Sequence, residues 1–171
     1  MTMRTICIFV CLVILIITGI SLMFIINPKR TKQIEYSFDL GQPIKDINGR
    51  NIQENLNIQK NTIVLFFNSD CDYCKQEIDF IDKNIDVFKS KYNLLIVSFE
   101  NRDKLKIFEN LTKIDNSSPF IIVSDPDFEL INKYEIIEFP SLFLFTPDGQ
   151  ERLSHRGIAL DTLEELLKQT F

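Results

Sequence analysis

Two cysteines with two residues between them, Cys71 and Cys74, are the side chains of this 171-residue sequence best placed to do chemistry. They stand in the run Asn68-Ser69-Asp70-Cys71-Asp72-Tyr73-Cys74. Before it lies the apolar, β-branched stretch Thr62–Phe67, which reads as a buried strand. After it, Ile78, Ile81, Ile85 and Phe88 recur at helical spacing through Lys91. A cysteine in the first turn of a helix meets backbone N–H groups without intrahelical partners and the positive end of the helix dipole. Both favour the thiolate, which is the nucleophile. Cys71 is expected at the exposed tip. Cys74 is expected one turn deeper, in line with Ile78, Ile81 and Ile85. One thiol to attack and one to resolve is what thiol–disulfide exchange requires.

Other chemistries fit the pair less well. A zinc site needs further ligands, and the sequence has no second such pair and a single histidine, His155. A purely structural disulfide across two residues would constrain little chain. Haem attachment calls for a histidine directly after the second cysteine, where Lys75 stands. Asp70 and Asp72 flank Cys71, and Lys75 offsets only part of their charge. Negative neighbours disfavour a thiolate, which predicts a reducing couple and a reductant rather than a strong oxidant.

The elements that must position this pair alternate along the chain. Ile44–Ile52 carries an Asn48-Gly49 turn between short apolar stretches, a hairpin signal. Strands are expected at Thr62–Phe67, Leu94–Phe99, Phe120–Val123 and Ser141–Phe145, with an edge strand at Arg152–His155 beyond the turn Pro147-Asp148-Gly149. Helices are expected at Tyr73–Lys91, Asp103–Leu111, Phe128–Tyr134 and from an N-cap at Asp161 to Lys168. Such alternation implies an α/β sheet with helices on both faces, closed by an antiparallel hairpin. Phe139-Pro140-Ser141 leads into one of these strands. A proline there is either an ordinary trans residue or the mark of a cis turn.

Composition bounds the rest. A net charge of −5 and no basic patch give no sign of a nucleic-acid partner. With 5 glycines, no tryptophan and 15 phenylalanines, packing rests on Ile, Leu and Phe. From Thr5 to Ile26 no residue is charged, enough chain to cross ~30 Å of hydrocarbon. The expected organisation is a cytoplasmic N-terminus over 1–4, a transmembrane anchor over 5–26, a polar tether over 27–37 and one domain over 38–171. A cleaved signal peptide is the rival, but the apolar run continues past Thr18-Gly19 to Ile26. Cys7 and Cys11 are read as small apolar residues within the anchor. Arg4 before the span and Lys29, Arg30 and Lys32 after it leave the orientation nearly undecided by charge.

At this point the sequence resembles the thioredoxin superfamily, and most of all the membrane-tethered thiol–disulfide oxidoreductases of bacteria related to the TlpA and ResA proteins. The resemblance spans roughly 38–170. It rests on Ile63-Val64-Leu65-Phe66-Phe67, the cysteine pair, Tyr134, Phe139-Pro140-Ser141-Leu142-Phe143, the Thr146–Gln150 turn and Arg156-Gly157. It implies a thioredoxin-like fold, a central mixed sheet flanked by helices. It further implies Cys71 as nucleophile, Cys74 as resolving thiol and Pro140 as a cis-proline facing the pair. The backbone of Phe139 would pair with an extended substrate, and Glu77 would be an acid near Cys74. The expected activity is disulfide reduction in envelope proteins, with no cofactor beyond a redox-active Cys71–Cys74 disulfide. Protein disulfides or dithiols are the expected substrates, a membrane component the expected electron donor. The domain would face the periplasm or cell exterior from the bacterial cytoplasmic membrane. The sequence departs from its relatives where Asp70 replaces a common tryptophan, where Leu65 replaces thioredoxin's buried aspartate, and at Asp72-Tyr73. Two other functions stay open. A peroxiredoxin-like peroxidase would ordinarily have threonine at Asn68, and a copper-delivery module would use His155 beside the cysteines.

Overall fold

The first long strand, β1 (Asn61–Phe66), is buried from Thr62 to Phe66. An apolar strand of this kind must be covered on both faces. In the computed structural model, which describes residues 44–111 and 120–169, it lies in the middle of a five-stranded sheet. The strand order is β3-β2-β1-β4-β5, with β2 at Tyr92–Ser98, β3 at Phe120–Ser124, β4 at Ser141–Phe145 and β5 at Glu151–Arg156. β1, β2 and β3 run parallel, with Leu65 opposite Ile96 and Ile96 opposite Ile122. β4 is antiparallel to β1, and β5 to β4. This is the mixed sheet of a thioredoxin-like fold.

The pleat sorts the core in two. Ile63, Leu65 and Phe67, with Leu94, Ile96, Leu142 and Leu144, face one cluster. Val64 and Phe66, with Leu95, Val97, Phe143 and Phe145, face the other. The first cluster is closed by α2 (Asp72–Lys83), α3 (Ile85–Lys91), α4 (Arg102–Leu111) and α6 (Leu160–Lys168). The second is closed by the short helices α1 (Ile52–Asn55) and α5 (Glu129–Lys133).

Three local expectations change. The helix expected over Tyr73–Lys91 is two helices. At Asn84 the side-chain amide donates to the Phe80 carbonyl (2.9 Å) and the backbone N–H to Ile81 (3.1 Å), so the regular ladder is interrupted. The hairpin expected over Ile44–Ile52 is a tight turn held by an isolated Lys45–Asn51 bridge, with Gly49 at φ +82°, and Ile52 opens α1. Asp46 closes the turn by accepting from the backbone of Asn48 and Arg50, both at 2.8 Å. Asp161 lies inside the first turn of α6 rather than capping it. The cap position is Ala159, which has no side chain able to accept a bond.

The two sheet edges are treated differently. The turn at 44–52 lies along β3, with an Asp46–Val123 bridge and an Ile47 N–H to Ile122 carbonyl bond of 2.9 Å. β5 carries Glu151, Arg152 and Arg156 and is alternately half-buried and exposed. The expected anchor at 5–26 and tether at 27–37 lie outside the described residues. Among those described, no helix is long and apolar enough to cross a membrane.

Phe66 is fully buried, with the rings of Tyr134 and Phe143 each 5.7 Å away. Phe66→Ala is expected to cost about 3–5 kcal/mol. Urea unfolding should report this as a lower midpoint with an unchanged slope.

Candidate active site

Because β1, β2 and β3 are parallel and β4 and β5 alternate, five loop junctions meet at one end of the sheet. They are the C-terminal ends of β1, β2, β3 and β5 and the N-terminal end of β4. Cys71 leaves β1 into this end. The loop before it is tightly tied, since Asn68 accepts from Asp70 N–H through its side chain (2.8 Å) and from Cys71 N–H through its carbonyl (3.1 Å). Cys71 is the N-cap of α2, in extended conformation, and its Sγ accepts the N–H of Cys74 at 3.3 Å. The sulfur thus takes the place of a serine or aspartate cap and sits at the positive end of the helix, where negative charge is favoured. It is half-buried, whereas Cys74 is fully buried, and both are free thiols. Burial pushes the Cys74 thiol well up. The hydrogen bond with Cys71 adds to this, the Asn68 backbone opposes it, and the nearby Glu77 charge acts in the same upward direction.

The Phe139–Pro140 peptide is cis, and the Phe139 carbonyl lies 3.8 Å from Cys71 Sγ. This loop is fixed at both ends. The Ser141 hydroxyl donates to the Glu138 carbonyl (2.8 Å), and Gly157 N–H donates to the Pro140 carbonyl (2.9 Å) with Gly157 at φ +81°. The same end of the sheet carries exposed apolar side chains: Tyr73 (58 % exposed), Ile137 (85 %), Phe128 and Ile158. Phe99 stacks on Phe128 and packs against Phe139, making an aromatic row that ends beside Cys71.

Glu77 lies one helical turn beyond Cys74 and is completely buried. One carboxyl oxygen accepts the Ala159 N–H at the start of α6, and the other has no hydrogen-bond partner. Burial raises its pKa from 4.5 to about 7, with the Ala159 bond pulling the other way. From α2, Glu77 thus satisfies the backbone N–H of the α6 cap residue, the bond that an acidic residue at the third helical position makes in a capping box.

A second buried carboxylate was not found by sequence reasoning. Glu100 follows β2 and accepts from Ser69 N–H (3.0 Å), Ser69 Oγ (2.7 Å) and Ser98 Oγ (3.0 Å). Lys104, on α4, lies 2.6 Å from Glu100 and 2.7 Å from Asp70. Burial works to raise Glu100, but the bonds from Lys104, Ser69 and Ser98 outweigh it and hold it below the usual carboxylate range. The only signal available was an acidic residue at the C-terminal end of a parallel strand, where sites of open α/β sheets form. These contacts also revise the charge argument. Asp70 pairs with Lys104, and Asp72 with Lys75 at 3.2 Å. Neither aspartate faces Cys71 as an uncompensated charge, so the expectation of a reductant loses that support. His155 lies on β5 with its Nδ1 3.1 Å from Thr162 Oγ1. No group of three His, Cys, Asp or Glu able to hold a metal occurs among the described residues.

The AhpC/TSA family profile matches residues 38–152. The chain belongs to the AhpC/TSA family. The chain is similar to the thiol-disulfide oxidoreductase YkuV of Bacillus subtilis, 26% identical over 115 residues that make up 65% of this chain and 76% of that protein. Among solved structures, StoA of Bacillus subtilis superposes with a TM-score of 0.60 at 24% identity, covering 75% of this chain and 96% of that one. The bacterioferritin comigratory protein of Xanthomonas campestris, whose structure concerns alkyl peroxide reduction, gives 0.57 at 20% identity, covering 75% and 90%. With its dithiol at a helix N-terminus, this AhpC/TSA chain has the make-up of a thioredoxin-like oxidoreductase.

A carboxyl whose folded pKa lies above its unfolded value binds its proton more tightly in the native chain. Glu77 therefore lowers stability progressively as pH rises from about 4.5 to about 7, and no further above that. Glu77→Gln should remove this dependence. Its unfolding free energy relative to the parent should increase by about 3 kcal/mol between pH 4 and pH 8, as measured by denaturant unfolding across that range.

Proposed function

We propose that this AhpC/TSA protein reduces disulfides in extended polypeptides, with Cys71 as nucleophile, Cys74 as resolving thiol and Glu77 as its base. The observation that carries the proposal is the placing of Cys71 Sγ 3.8 Å from the Phe139 carbonyl, above a buried Cys74. A backbone acceptor beside the nucleophile suits a substrate main chain, and the surrounding Tyr73, Ile137 and Phe128 suit apolar side chains next to its cysteine.

The Cys71 thiolate attacks a substrate disulfide. A bond forms between Cys71 and one substrate sulfur, and the other leaves and takes a proton. Cys74 must then lose its proton in a buried site. Glu77, poised at about 7, accepts it. The Cys74 thiolate attacks Cys71, the second substrate sulfur leaves as a thiol, and the pair ends as a disulfide. A dithiol donor in the membrane returns it to the reduced form. The domain works outside the cytoplasmic membrane of a bacterium, tethered through residues 5–26. The uncharged stretch from Thr5 to Ile26 and the resemblance to tethered bacterial oxidoreductases support this location.

Peroxide reduction is the second reading, favoured by the family and by the likeness to the Xanthomonas protein. The departing oxygen of a peroxide develops negative charge and needs donors at the sulfur. Here Cys71 Sγ meets one N–H and one carbonyl oxygen, and Asn68 stands three residues before it.

Cys74→Ser should accumulate a covalent adduct with a disulfide-containing polypeptide, visible by mass and released by thiol, while Cys71→Ser should form none and lose insulin reduction. Rapid consumption of alkyl peroxide together with negligible insulin reduction would replace the proposal with the peroxidase. In intact cells, mass-tagging alkylation should find Cys71 and Cys74 mainly reduced, and a mainly disulfide pair would reverse the proposed direction.

A further inference from the structure

Asp70, directly before the nucleophile, is 77 % exposed in its side chain, and an exposed ion pair ordinarily contributes little, because two flexible side chains must be ordered to make it. Lys104 is a different partner. Its ammonium is already held by Glu100, whose side chain is only 3 % exposed and is itself fixed by Ser69 and Ser98. The Lys104 backbone is also fixed, its N–H bonded to Asn101 Oδ1 at 2.9 Å in the first turn of α4. Asp70 is held from its own side by the bond from its N–H to Asn68. A cation fixed in advance meets a carboxylate on a fixed backbone, so most of the ordering cost falls on contacts that exist without the pair.

We propose that Lys104 is a positioning residue that clasps the Asp70 carboxylate toward α4 and so keeps its charge off the Cys71 sulfur. The buried Glu100 is the post on which Lys104 is held. This rests on Cys71 being the nucleophile, and it applies whether the substrate is a disulfide or a peroxide. Without Lys104 the Asp70 carboxylate is free to rotate about a residue adjacent to Cys71, where its charge opposes formation of the thiolate. Asp72 lies on the other side of Cys71 with its own partner, Lys75, and is unaffected.

A double-mutant cycle tests this, read out as the rate of iodoacetamide modification of Cys71 across pH, with the modified residue located by mass mapping. Lys104→Met should slow modification at neutral pH by about threefold and move its pH profile upward. Lys104→Arg should restore the parental profile. In an Asp70→Asn background, Lys104→Met should have no effect, because no carboxylate is left to release. Equal slowing in both backgrounds would overturn the proposal, since Lys104 would then act through its own charge or through the fold. The absence of slowing where Asp70 is present would overturn it too. Any destabilisation caused by stripping the cation from Glu100 is common to both backgrounds and cancels in the comparison. The chemical readout needs no polypeptide substrate. Failure of the exchange mechanism would appear in insulin reduction, and failure of the Lys104 proposal in the modification cycle alone.

Discussion

The pairing of β1 on both sides is the constraint from which the site follows. This strand is held in register by β2, which runs parallel to it and ends at the cysteine end of the sheet, and by β4, which runs antiparallel and begins there. β4 runs back against β1, so the chain entering β4 arrives where the chain leaving β1 departs. That single reversal sets the Phe139 carbonyl against the Cys71 sulfur across 68 residues of sequence. Were β4 parallel, the proline loop would lie at the far end of the sheet and the helix N-terminus would stand alone. The chemistry thus depends on strand direction before it depends on any side chain.

Two buried carboxylates divide the electrostatic work around the pair. Glu77 has a single backbone donor and an unpartnered oxygen, so burial dominates and its proton is held up to neutral pH. Glu100 is surrounded by hydroxyl, backbone and ammonium donors, so its hydrogen bonds outweigh burial and it stays charged. The same functional group, buried in both cases, becomes a proton store in one and a fixed anion in the other. The number of donors within reach decides which.

The elements legible in the sequence were those with a strong local signal. β1 and β2 are unbroken apolar runs, and α2 begins where the apolar spacing changes from strand to helix. The cysteine pair could be read because its position at a strand–helix junction is a local fact. What the sequence concealed was mostly produced by contacts between distant segments. Asn84 breaks a helical pattern that continues in apolar spacing on both sides. α6 begins at Leu160 behind an Ala159 cap that no local rule would choose, and the Ala159 N–H finds its partner in Glu77 of α2. Asp70 and Asp72 look like uncompensated charge until α4 brings Lys104 to the first of them and the turn of α2 brings Lys75 to the second.

If the substrates are the extended polypeptides proposed, the treatment of the sheet edges has a consequence. Such clients expose strand-forming apolar segments, and an unprotected sheet edge would capture them by main-chain pairing, as a template for aggregation. Here the β3 edge is occupied by the chain's own 44–52 turn, and the β5 edge presents Glu151, Arg152 and Arg156. A client strand is discouraged at both edges of the sheet. Among the described residues, the Phe139 loop offers such a chain a carbonyl beside the Cys71 sulfur instead.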